Sequence, residues 1–179
     1  MADLGPVDWP PAPIRTERLV LREPEARDRA AIIELLASPE VGTYLGGPRP
    51  RDELEREMPG APERRPGFFV VDLDGAMVGQ IILSRATGHG PPAAAGKAEL
   101  GYLFLPQAWG FRYAAEACAA ALGWFAGELL GEPVVLFTQT ANVRSMRLAA
   151  KLGFTEVERY EGYGAEQWFG MWSPVTPSD

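Results

Sequence analysis

The chain has 179 residues, 46% hydrophobic and 23% charged, a balance that fits one globular domain with a sizeable core. Its 17 basic and 24 acidic side chains leave a net charge of −7, which argues against a nucleic-acid partner and weakly favours a cationic ligand such as an amine. One cysteine and one histidine exclude an intramolecular disulfide, a structural zinc cluster and a two-histidine zinc motif, so no metal is expected.

Residues 1–13 carry Pro6, Pro10, Pro11 and Pro13 and no periodicity, which reads as a flexible or draped arm that Val7 and Trp9 could anchor. No basic segment precedes an apolar one there, so no signal peptide is expected, and the lone Cys118 suits a reducing, cytoplasmic setting. A short strand at 19–22 leads into an amphipathic helix over 26–37, where Ala30, Ile33, Leu36 and Ala37 recur at three and four. A second, more exposed helix is expected over 51–58, between Pro50 and Pro59. Strands over 68–73 and 77–83 flank Asp74-Gly75, a strong hairpin signal. A loop rich in Gly, Pro and Ala (87–96) follows, then a buried strand over 100–105 that Pro106 ends. The alanine-rich stretch 112–126 reads as a helix apolar nearly all round, hence packed against a sheet. The longest uncharged apolar run, 117–127, falls far short of the ~20 residues that span a bilayer, so no membrane association is expected. A strand over 134–138, a helix over 142–152 and closing strands over 154–160 and 167–172 complete a mixed α/β (α+β) domain over 14–173, with a C-terminal tail at 174–179.

Two segments carry chemistry. Between Phe104 and Ala117 a buried strand stops at Pro106, a loop containing Gly110 follows, and a helix opens near Arg112. The first turn of a helix offers unpaired N–H donors and the positive end of its dipole, so such a junction can hold a phosphate; an ordinary strand-to-helix turn has the same composition. The second segment, 142–154, has Asn142 where an N-cap belongs and Gly153 where a left-handed C-cap belongs, with Phe154 able to fold back on the last turn. By itself this is a well-punctuated helix whose Arg144, Arg147 and Lys151 form a solvated face.

Together the two segments resemble the Gcn5-related N-acetyltransferase (GNAT) superfamily, and its ribosomal-protein-alanine N-acetyltransferase-like branch in particular. The resemblance runs from Arg15 to about Tyr160. Thr16-Glu17-Arg18-Leu19, the strand Glu99-Leu100-Gly101-Tyr102, the Trp109-Gly110 loop, and the helix with Asn142 and Ser145 that ends Lys151-Leu152-Gly153-Phe154 stand in family order. It implies one domain with a mostly antiparallel sheet of six to seven strands flanked by about four helices. It also implies transfer of acetyl from acetyl-coenzyme A to a primary amine, either a small molecule or a protein N-terminus. Dimers are common in the superfamily, so a homodimer is allowed.

The family's cofactor loop is patterned Gln/Arg-x-x-Gly-x-Gly/Ala, with Trp common at the first position in this branch, which maps it onto Trp109-Gly110-Phe111-Arg112-Tyr113-Ala114. Arg112 stands where Gly is usual; its amide can donate to phosphate equally well if the residue is already helical. The resemblance implies that amides from Gly110 to Ala114 hold the pyrophosphate. It implies that Phe104 and Leu105 pair their backbone with the pantetheine arm, and that Asn142 and Ser145 meet the lower pantetheine and thiol. Arg147 and Lys151 are in place to reach the 3'-phosphate or to remain a solvated face.

Amine acetylation needs a neutral amine, an oxyanion donor and a leaving thiolate. At pH 7, deprotonating a Lys-type amine costs about 4.6 kcal/mol, and an α-amine about 1.1 kcal/mol. A thiol of pKa about 8.5 leaves with modest acid help. By resemblance Glu99 is the expected general base, directly or through water; a carboxylate at a strand entrance can equally be solvated or paired. Ser145 is expected to protonate or position the thiolate, with Tyr102, Tyr160 and Tyr163 read as structural tyrosines or other acids, and the amide of Leu105 or a neighbour to meet the oxyanion. The Gly90–Ala98 stretch is not a P-loop, having the wrong spacing and Ala98 where Ser or Thr is required. His89, without a nucleophile motif around it, reads as a solvated loop histidine, and Trp168, Phe169 and Trp172 as core or acceptor-site wall. A different class stays open: a catalytically silent domain that binds coenzyme A or another ligand.

Overall fold

The strands sort by how many faces they bury. The computed structural model, which describes residues 2–174, places β1 (Ile14–Arg15), β2 (Val20–Arg22), β3 (Phe68–Leu73), β4 (Ala76–Arg85), β5 (Ala98–Phe104), β6 (Val134–Gln139), β7 (Thr155–Gly162) and β8 (Ala165–Trp172) in one sheet. Their order is β1-β2-β3-β4-β5-β6-β8-β7. Among the described residues five α-helices flank it: α1 (Arg29–Ala37), α2 (Pro39–Gly42), α3 (Arg51–Glu57), α4 (Tyr113–Glu128) and α5 (Val143–Leu152). β3 is apolar from Phe68 to Val71 because both its faces are covered there. Phe69 and Val71 join Ile81, Leu83, Leu100 and Phe104 under α4 and α5, whereas Phe68 and Val70 meet Ile32 and Leu35 of α1. The buried face of α4 is built from Ala117, Cys118, Ala121, Leu122 and Phe125, mostly small side chains that let the helix lie close to the strands.

The β3–β4 hairpin closes through Asp74 and Gly75 with φ of 52° and 90°, the two left-handed residues a type I′ turn needs. The β7–β8 hairpin uses Tyr163 and Gly164 in the same way, with φ of 52° and 78°. These strands run longer than the sequence suggests, because an aromatic at the first turn position gives no turn signal. The sheet has eight strands, against the six to seven expected, β1 being a two-residue addition. The fifth helix is the single turn α2, capped by Ser38, whose Oγ accepts from the Val41 N–H at 3.2 Å.

The 2–13 arm is draped on the domain. Ala2 bridges to Arg85, Leu4 is buried in the main core, and the Trp9 ring meets Phe69 and Trp124 edge-on at 5.0 Å and 5.5 Å. The expected tail, 174–179, lies outside the described residues apart from Pro174. No helix among the described residues is long and apolar enough to cross a membrane.

All neighbouring strands are antiparallel except β5 and β6, which run parallel and pair only through Ala98–Val134 and Glu99–Val135. Past those pairs β5 keeps its ladder with β4 and β6 keeps its ladder with β8, so a slot opens between them toward their C-terminal ends.

Candidate active site

The phase of the β4–β5 ladder decides which backbone groups face the slot. Leu105 N–H donates to Val78 C=O at 2.9 Å, and in an antiparallel pair the hydrogen-bonded positions alternate. Leu103, Gly101 and Glu99 therefore bond toward β4, while the backbone groups of Tyr102 and the N–H of Phe104 point to the slot. The Leu105 carbonyl accepts from Ala108 N–H at 2.8 Å, so both its backbone groups are engaged within the fold. This corrects the expectation that Leu105 pairs with a pantetheine arm or meets the oxyanion. The open amide lies one residue earlier, at Phe104.

Side chains alternate along β5 as well, so Glu99 and Tyr102 lie on opposite faces of the sheet. On the α4–α5 face the Tyr102 hydroxyl is 2.7 Å from Ser145 Oγ, and burial pushes its phenol up to about 12. Ser145 sits in the first turn of α5, where its N–H donates to Asn142 Oδ1 at 3.3 Å. Asn142 is thus a helix cap whose side chain also lies beside the hydroxyl pair.

Between β5 and α4 the chain makes a 3-10 turn (Pro106–Ala108), then passes Gly110 at φ 87° to Arg112, the N-cap residue of α4, at φ 65° and ψ 22°. Residue 112 is therefore left-handed, not helical as the sequence argument required, and α4 begins at Tyr113. For a non-glycine residue this conformation costs about 1–2 kcal/mol, and a cation at a helix N-terminus also opposes the dipole. Among the described residues no internal acceptor meets the amides of Gly110, Phe111, Arg112, Tyr113 and Ala114. Unpaired donors thus gather at the positive end of a 16-residue helix, which suits an anion.

Neighbours hold this loop on two sides. The Trp109 indole N–H donates to the Phe104 carbonyl at 2.9 Å, and the Arg144 guanidinium covers the indole ring at 4.5 Å, so Arg144 is not merely a solvated charge. The Phe111 ring stacks on Tyr113 at 5.4 Å, and Arg18 lies over Tyr113 at 4.6 Å. Glu116 of α4 receives Thr16 Oγ1 at 2.6 Å, the Arg18 N–H at 2.9 Å and Arg18 Nε at 2.8 Å. Burial pushes the Glu116 carboxyl up, but those hydrogen bonds outweigh it and hold the group below the usual range. The opening Thr-Glu-Arg-Leu is thereby a clamp of the chain entry onto α4. Arg147 and Lys151 are exposed on α5.

On the opposite face Glu99 is part-buried, with Oε2 2.9 Å from Nε2 of His89. Burial pushes the Glu99 carboxyl up; the imidazole opposes this without cancelling it. Phe137 of β6 and Tyr160 of β7 stand nearby, and a Cβ on Gly101 would meet the Ile82 carbonyl oxygen at 3.8 Å.

Residues 18–155 match the family model of the acetyltransferase (GNAT) domain. The chain belongs to the GNAT acetyltransferases. That membership makes it an acyltransferase dependent on acetyl-coenzyme A. Solved structures agree in fold. A GNAT-family acetyltransferase from Bacillus anthracis is 23% identical with a TM-score of 0.71, covering 90% of this chain and 98% of its own. An acetyltransferase from Agrobacterium tumefaciens str. C58 is 26% identical with a TM-score of 0.68, over 93% and 97%. The aminoglycoside acetyltransferase AAC(6')-Ib, solved with ribostamycin and coenzyme A, is 15% identical with a TM-score of 0.70, over 91% and 99%. No curated protein matches the sequence.

In this GNAT chain Glu99, Tyr102, Ser145 and the 109–114 loop, each a candidate from the sequence, lie along the β5–β6 boundary, with Glu99 on one face of the sheet and Tyr102 and Ser145 on the other. The sequence reading missed His89, which sits in a Gly-Pro loop with no motif around it. It also missed the clasp of Trp109 between Phe104 and Arg144, for which the aromatic and the arginine gave no joint signal.

Proposed function

We propose that the protein transfers acetyl from acetyl-coenzyme A to a primary amine, a small molecule or a protein N-terminus, by direct attack within the β5–β6 slot. One observation carries this reading. The unpaired amides of residues 110–114 stand at the end of β5, whose own slot-facing groups also lack a strand partner, so one extended molecule bearing a diphosphate can lie along both. In that arrangement Gly110, Phe111, Arg112, Tyr113 and Ala114 hold the pyrophosphate, with Trp109 fixing the loop and Arg147 near the nucleotide. The Phe104 N–H pairs with the pantetheine arm, and Asn142 and Ser145 border the thiol.

The amine nitrogen then bonds to the thioester carbon and the C–S bond breaks. The Tyr102 N–H, the slot-facing amide nearer Glu99, faces the developing oxyanion. Of the two protons the ammonium loses, one passes through Glu99 to solvent and the other ends on the thiolate. Tyr102, fully protonated at pH 7, supports the thiolate through Ser145 as a hydrogen-bond donor. The acidic chain favours a cationic acceptor. Resemblance to the ribosomal-protein-alanine branch supports an α-amine, and likeness to an aminoglycoside acetyltransferase supports a small polyamine.

A thiol-release assay across N-terminal peptides and aminoglycosides, ribostamycin included, tests this directly. Turnover with at least one acceptor is expected, falling about 10²-fold or more in Glu99→Gln, with acetyl-coenzyme A affinity unchanged by calorimetry. Saturable binding without turnover would make the protein a silent coenzyme A-binding domain. Absence of binding would remove the reading altogether.

A further inference from the structure

The contact between Glu99 and His89 is more constrained than a surface ion pair. His89 Nδ1 lies 3.1 Å from the Thr87 carbonyl oxygen, which can only accept, so Nδ1 carries a hydrogen. His89 Nε2 then faces Glu99 Oε2 at 2.9 Å, and this is a hydrogen bond only if one further proton lies between them. Without that proton, two sets of lone pairs oppose each other. We propose that Glu99 and His89 act as one proton-accepting unit in acetyl transfer, with His89 a positioning residue carried over the acceptor side by the 86–97 loop. The proposal rests on reading Glu99 as the base.

The proton balance is simple. The empty unit, a carboxylate with a neutral imidazole, has charge −1; it takes one proton from the acceptor ammonium and becomes neutral overall, as carboxylate with imidazolium or as acid with imidazole. The amine is released as a nucleophile, and the proton later leaves through the partly exposed imidazole to water. Lowering the charge of a half-buried site is favourable, which suits a carboxyl that burial already pushes up.

The seat of His89 is built. Its ring meets Phe137 of β6 edge-on at 5.2 Å. A Cβ on the next residue, Gly90, would lie 2.5 Å from the Phe137 ring, so only glycine lets the loop approach this closely. From β7, Tyr160 completes the titratable surroundings; burial first, then Tyr163, Glu99 and Glu158, push its phenol up, so it remains protonated through neutral pH.

His89 is the only histidine, so its imidazole NMR signals are unambiguous in the whole protein. In the wild type the neutral form should be the Nδ1–H tautomer by its nitrogen chemical shifts, and Glu99→Gln should move the Nε2 resonance. With a turnover acceptor, His89→Ala and the non-titrating His89→Gln should both lose about tenfold or more in kcat/KM and alter the acid limb of its pH profile, with acetyl-coenzyme A affinity intact. An Nε2 resonance identical in wild type and Glu99→Gln would overturn the unit, whether or not an acceptor is found. So would activity lost in Glu99→Gln but kept in both His89 variants, an outcome that leaves Glu99 as base. Full activity in Glu99→Gln would overturn both readings.

Discussion

Arg112 combines a left-handed backbone with a positive charge at a helix N-terminus, two local costs at one position. Relief of about 1–2 kcal/mol of backbone strain, less the roughly 0.5–1 kcal/mol that glycine's freedom costs on folding, sets the expectation for Arg112→Gly. Urea unfolding should show a gain of about 0.5–1 kcal/mol, while calorimetry should show weaker acetyl-coenzyme A binding. That trade is the expected pattern where strain is kept for a ligand. The unusual residue is legible in the sequence; its backbone angle is not, because a loop closing onto Trp109 and Tyr113 sets it. The same limit explains Leu105 and Phe104. Which of the two has an open amide depends on pairing with Val78, and no feature of β5 itself records that. His89 meets Glu99 only after the intervening loop folds back, so its local sequence could not reveal its role.

Among the elements, β2, β3 and the turn before α1 are tied by Arg22. Its Nη1 and Nη2 donate to both Asp28 oxygens at 2.8 Å and 2.9 Å, and its Nε donates to Asp72 at 2.9 Å. Asp28 also accepts from the Glu25 N–H at 2.7 Å. Burial pushes the Asp28 carboxyl up, but Arg22 and that amide outweigh it and hold the group below its usual value. A depressed carboxyl contributes stability above its unfolded pKa, near 3.8, and loses it as pH falls through the lower folded value. Acid titration of the wild type should therefore show stability declining below about pH 4. Arg22→Met leaves buried Asp28 unpaired and should cost about 3–5 kcal/mol at pH 7 by urea unfolding. Its deficit should shrink as the pH is lowered, because the unpaired acid then prefers to be neutral. Hairpins were legible where Asp74-Gly75 supplied the turn and illegible where Tyr163 did, although the backbone solution is the same.

At the scale of the molecule, the strand and helix order was readable because apolar runs and breakers alternate cleanly from Phe68 onward. The N-terminal arm was readable only in part: a draped course and a Trp9 anchor were expected, but the seat of Leu4 was not. Its hold comes from side chains far along the chain: Arg85 Nε and Nη2 donate to the Leu4 carbonyl at 3.1 Å and 3.0 Å, and Leu4 itself is 1% exposed. Leu4→Ala should cost about 2–4 kcal/mol despite its place near the terminus, measured by chemical denaturation. A cost near zero would mean the arm adds nothing to the core.

Two residue pairs are all that stitch β5 to β6, and the rest of that boundary is held by helices on one side and loops on the other. The sheet is in effect two ribbons hinged at Ala98 and Glu99, with the base proposed for the reaction seated at the hinge itself. A thread laid along the gap would serve as the missing rung, joining both ribbons while presenting its reactive end to the pivot. Cohesion of the domain and commitment to chemistry would then be one event.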